Sequence, residues 1–296
     1  MKNVTPLYDT DRAEYERLAQ EFIDLYVYNM KLNKGVISTS VSQAKVDIFN
    51  NTQIFDTTTG VCKLKFGVFN GVLRLHGIDC VKSLKNLPQD VHCLILQNLH
   101  NLKTFDLPLI KNDKLFITGC PIYDLSEVHI PGSLYIDGCI NLDTLDKLPR
   151  NIQDSESLHI KNMYLHTHMK TSNNNILWLD VNNVEGITNF ENLPSNIQRL
   201  SLDFAHDFVS WRGINNYSNL YTLTVEHITA YNNIINVLLC NKLEARYFFM
   251  GISLNRTIEF IIEKYMNIEF ALMRSNYIMD CVVELIDSGF EDAAEL

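Results

Sequence analysis

The chain has 296 residues, of which 46% are hydrophobic and 20% are charged, a composition typical of a globular protein that folds in water. Its formal net charge is −10, so the surface repels phosphate backbones and nucleic-acid binding through a general basic patch is disfavoured. No apolar run reaches the roughly 18–20 residues needed to cross a bilayer, and we expect no membrane association and no signal peptide.

The first region of the chain, residues 1–69, is predicted to be a cap made of one helix followed by short strands. Residues 9–32 are expected to form the helix, because apolar side chains return there at three- and four-residue steps. Those side chains are Tyr15, Leu18, Phe22, Leu25 and Tyr26. In residues 36–70 apolar residues alternate among Thr, Asn and Gly, which favours strands and turns.

The middle of the chain, residues 70–228, repeats a Leu-x-hydrophobic step at a nearly constant spacing. The eight steps begin at Leu73, Leu94, Leu115, Leu134, Leu158, Leu177, Leu200 and Leu223. Successive starts lie 21, 21, 19, 24, 19, 23 and 23 residues apart, which leaves too little room for a long helix between strands. Each short unit has an apolar face that only its neighbours can bury, so the period predicts a solenoid.

These units resemble the leucine-rich repeat. The family places Asn or Cys at a buried position after the strand, and we assign that position to Cys120, Cys139 and Asn182. A Leu-Pro-x-x-aliphatic motif precedes three strands, beginning at Leu87, Leu148 and Leu193. It is similar to the short bacterial type of repeat, in which a proline-led extended segment replaces the helix. The resemblance implies an α/β solenoid with a parallel sheet on its concave face.

The last region, residues 229–296, is expected to be a mainly helical cap with an acidic tail. Residues 231–240 could form a short helix, and Ser253 could cap a second helix that carries Ile258, Ile261, Ile262 and Tyr265. A third helix is predicted near residues 276–287, with Ile278, Cys281, Val282 and Leu285 facing inward. The stretch from Glu284 to Leu296 holds five acids and no base, and we expect it to fray into solvent.

Side chains between the apolar positions of each strand should point away from the core, because side chains alternate across a strand. Five large groups in that position are predicted to form a ridge that binds another protein: Ile95, Phe116, Tyr135, His159 and Trp178. Exposed aromatic groups lower solubility unless a partner covers them, and aromatic residues are common binding anchors. The alternative is that the C-terminal helices or another segment cover the ridge.

The next outward position is acidic in the second half of the repeats. Asp180, Asp203 and Glu226 are predicted to lie on consecutive strands, where stacked carboxylates repel one another. A basic patch on the partner protein would relieve that repulsion. The alternative is a solvated acidic face with no partner.

The sequence favours neither a metal site nor a catalytic one. His166 and His168 alternate on an extended segment, but no further ligand lies at a convincing spacing. The seven cysteines have no paired short spacings, so reduced core thiols are expected. No phosphate-binding loop or paired acid motif is present, and we predict no cofactor.

We therefore predict that the protein is not an enzyme. The expected function is a protein–protein interaction module in the cytoplasm of a bacterium or of a host cell, acting as a phage or bacterial adaptor or inhibitor through its concave face. Two alternatives stay open: a virulence effector scaffold in a eukaryotic host, and an enzyme with its site in the C-terminal region. The ubiquitin-ligase domain of some related effectors does not fit, because too few residues follow residue 228.

Overall fold

A computed structural model shows the chain as two compact units. The first unit comprises Met1–Leu142 and Lys147–Gln153, and the second comprises Asp143–Asp146 and Asp154–Leu296. The structure describes residues 7–26, 30–33, 36–39, 44–49, 52–67, 69, 71–88, 91–106, 114–128, 132–144, 147–149, 157–165, 176–191, 193–194, 196–228, 230–240, 242–243, 248–251, 256–267 and 275–296.

The first unit begins with two helices and a hairpin. Helices α1 (Leu7–Thr10) and α2 (Arg12–Tyr26) precede strands β1 (Met30–Asn33) and β2 (Val36–Thr39), which pair antiparallel. Tyr15, Leu18 and Phe22 are buried, as the predicted stripe requires. The predicted helix over residues 9–32 is wrong at its end, because residues 30–32 pair in the hairpin instead.

Five parallel strands follow in the first unit, and each pairs in register with the next. They are β3 (Ala44–Phe49), β4 (Gly71–His76), β5 (Cys93–Gln97), β6 (Lys114–Thr118) and β7 (Ser133–Asp137). Leu96, Ile117 and Ile136 are each at most 1% exposed. The parallel sheet thus begins at Ala44, inside the region predicted to be a cap.

The second unit continues the same pattern with five more parallel strands. They are β8 (Ser157–Tyr164), β9 (Trp178–Glu185), β10 (Arg199–Asp203), β11 (Thr222–Glu226) and β12 (Phe248–Gly251). Parallel strands joined by short connections, one apolar face buried at each, form a solenoid, as the period predicts. Strand β12 extends the sheet beyond residue 228, the predicted end of the repeats.

Short helices complete the second unit. A 3-10 helix at Ile234–Leu239 is followed by α3 (Arg256–Met266) and α4 (Ile278–Asp287). The inward residues predicted for α3 are buried, and in α4 Ile278, Cys281 and Leu285 are buried while Val282 is half-buried. Ser253, the predicted helix cap, lies outside the described residues. No helix in the described ranges is long and apolar enough to span a membrane.

The acidic tail does not fray. Residues Asp292–Ala294 form a 3-10 helix in which Ala293 is 0% exposed. Asn233 holds this segment through its backbone, whose N–H donates to Asp292 O at 2.8 Å, and through its side chain, which donates to Glu295 O at 3.2 Å. Two small apolar side chains anchor a segment whose acids still point into solvent, and a charge count cannot detect such an anchor.

Candidate functional site

Two columns of side chains run along the outward face of the sheet in the first unit. The first outward column contains Arg74, Ile95, Phe116 and Tyr135, and the second contains His76, Gln97, Thr118 and Asp137. All eight are half-buried. The Phe116 and Tyr135 rings stack with centroids 4.2 Å apart and an interplanar angle of 9°. The structure therefore brings Ile95, Phe116 and Tyr135 together on neighbouring strands, as predicted.

In the second unit the register of β9 differs from the sequence prediction. Leu179 pairs with Leu158 on one side and with Leu200 on the other, so the repeated step is Leu179-Asp180-Val181. The step predicted at Leu177-Trp178-Leu179 lies two residues too early. With this register, the spacing from Leu158 to the β9 step and the spacing from that step to Leu200 are both 21 residues, in place of the predicted 19 and 23. Leu177, Leu179 and Val181 are all apolar at alternate positions, so either register satisfies the pattern, and a two-residue shift keeps each side chain on its face.

The shift moves two predicted site residues along the strand. Asp180 enters the first outward column beside His159 and Ser201, and Trp178 lies one outward position earlier, paired with Ser157 and Arg199. The predicted acidic row on three consecutive strands is therefore wrong. Of these three acids, only Asp203 and Glu226 share the second outward column.

Asn182, which takes the place of Asp180 in the second outward column, was also predicted to occupy a different position. The buried site assigned to it belongs to Val184, which is 0% exposed and lies at the same step as Cys120 and Cys139. Asn182 is half-buried instead, and its side-chain Nδ2 donates to Asp203 Oδ2 at 2.6 Å.

His159 lies in a chain of polar contacts on the outward face. Its Nδ1 is 2.9 Å from Asp180 Oδ2 and its Nε2 is 2.9 Å from Ser157 Oγ. This connectivity is that of a serine–histidine–aspartate triad. Ser157, however, is only 5% exposed, whereas a nucleophile must be reached by its substrate. The contacts fix the orientation of the imidazole beside Trp178, whose ring centroid is 5.7 Å away.

An arginine lies between two aromatic rings at the start of β10. The guanidinium carbon of Arg199 is 5.4 Å from the Trp178 ring centroid and 5.3 Å from that of Tyr221. Arg199 Nε also donates to the Tyr221 hydroxyl. Trp178 is 40% exposed, so the cluster is accessible. Sequence reasoning missed Arg199 and Tyr221, because the wrong register separated them from Trp178.

A left-handed residue follows the second outward column in each of the eight repeats from β4 to β11. Its φ lies between 51° and 63° at Gly77, Asn98, Gly119, Gly138, Asn162, Asn183, Phe204 and His227. Gly and Asn tolerate this conformation, but bulky side chains are rarely found in it. The Phe204 and His227 rings stack at 4.0 Å with an interplanar angle of 7°. The Gly or Asn at this step in six repeats was a visible signal that the sequence analysis did not use.

Asp203, Glu226 and His227 form a cluster at the C-terminal ends of β10 and β11. Asp203 pairs in register with Glu226 across β10 and β11. His227 Nδ1 lies 2.7 Å from Asp203 Oδ1. One donor atom from each of the three side chains lies within 4.8 Å of the others. The earlier candidate ligands, His166 and His168, lie outside the described residues.

The cysteines are free thiols, and six of the seven are buried. Burial raises the pKa of Cys120 to about 11 and the pKa of Cys139 and of Cys281 to about 12. A thiol with so high a pKa is a poor nucleophile near neutral pH. Cys120 and Cys139 act in the core as donors, with Sγ 3.8 Å from Leu96 O and 3.6 Å from Ile117 O of the preceding repeat.

The chain matches no known protein-family model, no curated protein and no solved structure.

Proposed function

We propose that the chain is a leucine-rich-repeat protein of the short bacterial type that binds another protein and catalyses no reaction. The observation that carries this proposal is the contrast between accessible and buried groups. Aromatic and charged side chains lie on the outward face of the strands in each unit, whereas six of the seven thiols and Ser157 are buried. The proposed setting is the cytoplasm, where the protein acts as a phage or bacterial adaptor or inhibitor of a host protein.

The outward face of the first unit offers apolar anchors. Phe116 and Tyr135 are already stacked and held between strand neighbours, so little side-chain freedom is lost when a partner covers them. Ile95 extends the same strip through its pairing with Phe116. Rigid aromatic groups of this kind often contribute most of the binding energy of an interface.

The outward face of the second unit offers directed polar contacts. Asp180 is held by His159, and Asp203 by Asn182 and His227, so these acids are oriented and not loosely solvated. Trp178 and Arg199 add a flat, accessible cluster. We infer a partner with a basic patch, because its charges would complement Asp180, Asp203 and Glu226.

The test compares variants of the two faces in capture of a partner from bacterial host lysate, followed by affinity measurement with the isolated partner. Tyr135→Ala with Trp178→Ala should weaken binding about thirtyfold or more, since each anchor commonly contributes about 2 kcal/mol. Phe260→Ala is the matched control, because Phe260 is an exposed aromatic side chain, at 67%, that lies on α3 and not on a strand of the sheet.

A second variant, with reversed charges, distinguishes electrostatic attraction of the partner from the contribution of the aromatic anchors. Asp180→Lys with Asp203→Lys should mainly slow association, with the largest effect at low salt. If folded variants of both kinds bind like the parent, the outward face is not the binding surface and the proposal fails.

A labelling experiment tests the enzymatic alternatives. The native protein should not react with a fluorophosphonate probe at Ser157, and the six buried cysteines should react with a thiol reagent only after denaturation. Rapid labelling of Ser157 or of Cys281 in the folded protein would contradict a non-catalytic function.

A further inference from the structure

The outward face of the second unit carries, on β10 and β11, a cluster that a binding ridge alone does not explain. Asp203 and Glu226 occupy the same register on adjacent strands, and His227 follows Glu226 directly. One donor atom from each of the three lies within 4.8 Å of the other two. Both carboxylates are half-buried and His227 is exposed, so an ion can reach the cluster from solvent.

The charges of this cluster are not balanced by protein cations. Across the part of the chain that the structure describes, no lysine or arginine forms an ion pair with Asp203 or Glu226. Asp203 is held by Asn182 Nδ2 at 2.6 Å and His227 Nδ1 at 2.7 Å. Like charges opposite each other on neighbouring strands are destabilising. A bound cation would remove that repulsion.

Two contacts hold the His227 side chain at the turn. The φ of His227 is 52°, at the step where six other repeats use Gly or Asn. The imidazole plane is fixed by stacking on Phe204, and Nδ1 is directed at Asp203.

We propose that Asp203, Glu226 and His227 bind a divalent transition-metal ion, with Zn²⁺ the best fit. One imidazole nitrogen with two carboxylate oxygens is a donor set that zinc accepts, whereas Mg²⁺ and Ca²⁺ prefer oxygen donors alone. Binding replaces the His227–Asp203 hydrogen bond with two metal–ligand bonds. Asn182 keeps its bond to the second Asp203 oxygen and so orients that ligand.

The chain contains its own control for this site. His159 and Asp180 make the same Nδ1–carboxylate contact at 2.9 Å on the same face. The residue in register with Asp180 on β10 is Ser201 and not a second carboxylate. This pair should therefore not bind the ion with comparable affinity.

The experiment is a calorimetric titration of the full chain with Zn²⁺ while the cysteines are kept reduced. The parent should bind one ion at this site. His227→Asn and Glu226→Gln should each weaken that binding at least tenfold, whereas His159→Asn should leave it unchanged. Asn already occupies the equivalent left-handed position in three repeats, so His227→Asn should fold, which a thermal melt verifies.

A second readout tests whether these side chains contact the metal. Co²⁺ added in place of Zn²⁺ should produce ligand-field absorption in the parent and in His159→Asn but not in His227→Asn. The proposal is overturned if the parent binds no Zn²⁺, if His227→Asn retains the parent's affinity, or if His159→Asn loses as much affinity as His227→Asn.

Discussion

The cores of the two units are built in the same way, but the outward faces of the two units differ. Ile136 in the first unit and Ile160 in the second are each 1% exposed at the same step of the repeat. The outward residue beside them is Tyr135, stacked on Phe116, in one unit and His159, bonded to Asp180, in the other. The repeat therefore constrains only the inward positions, and each unit can carry a different surface chemistry at no cost to packing.

The largest expected effect tests whether the cores are equivalent. Ile136→Ala and Ile160→Ala should each lower the free energy of unfolding by about 2–5 kcal/mol, because both remove a buried side chain from a packed interior. Thermal and urea denaturation measure the loss. Ile140→Ala is the control, since Ile140 is 75% exposed and its truncation should cost almost nothing. A small effect of Ile160→Ala alone would show that the second unit is loosely packed.

Substitutions at the left-handed turn position should change stability less than the core substitutions, and they should do so differently in the two units. Gly138→Ala should cost about 1–2 kcal/mol, because Gly138 has a φ of +62°, which disfavours a Cβ. A Cβ there causes no clash, since its nearest neighbour would be Gly119 N at 4.0 Å. Phe204→Asn should change stability by less than about 1 kcal/mol, because relief of the left-handed strain offsets the lost stacking on His227. A large destabilisation by Phe204→Asn would mean that Phe204 serves the fold and not the surface.

The smallest effect concerns the helices of the second unit. Lys264 Nζ and Tyr265 OH both donate to Glu284 Oε2, and chiefly the Lys264 bond lowers the pKa of Glu284. A lowered carboxyl pKa stabilises the fold above the unfolded pKa and ceases to do so as the pH falls through the folded value. Glu284→Gln should therefore cost less than about 1 kcal/mol at pH 7, with the difference from the parent shrinking below pH of about 4.

Glu259 on α3 provides a control of opposite sign. Burial raises its pKa, so the ionised form is disfavoured in the folded state. Glu259→Gln should leave stability at pH 7 unchanged or slightly higher, and any gain should vanish in acid. Parallel pH profiles for the two variants would contradict this account of Glu284.

The strands could be predicted from the sequence because the inward positions are occupied by apolar residues, which are favourable in the core and unfavourable in water. Leu134 and Ile136 alternate with polar or aromatic neighbours, and that alternation specifies both the strand and its face. At Leu177, Leu179 and Val181 the alternation extends over three apolar residues. The sequence therefore determines which face of the sheet each side chain occupies, but it does not determine the pairing register of β9. Only pairing with Leu158 and Leu200 selects one register.

The polar part of the site could not be predicted, because it depends on contacts between residues far apart in sequence. Asp203 meets His227 across 24 residues, and Trp178 meets Arg199 across 21. Both contacts follow from the register once it is known. The predicted end of the first helix was wrong for a related reason. The last apolar residue of the predicted stripe is Tyr26, and the backbone groups of residues 30–32 pair with the strand Val36–Thr39.

The regular pairing of strands also has a consequence for how the protein folds. Each strand in a unit pairs only with the strand one repeat before it and the strand one repeat after it, as β4 does with β3 and β5. Pairings at such short range require little loop closure, so a folding nucleus of two or three repeats can form in either unit and grow by adding one strand at a time. Under mechanical tension the same connectivity would release repeats one after another from the ends, in steps of about one repeat, and not in a single global rupture.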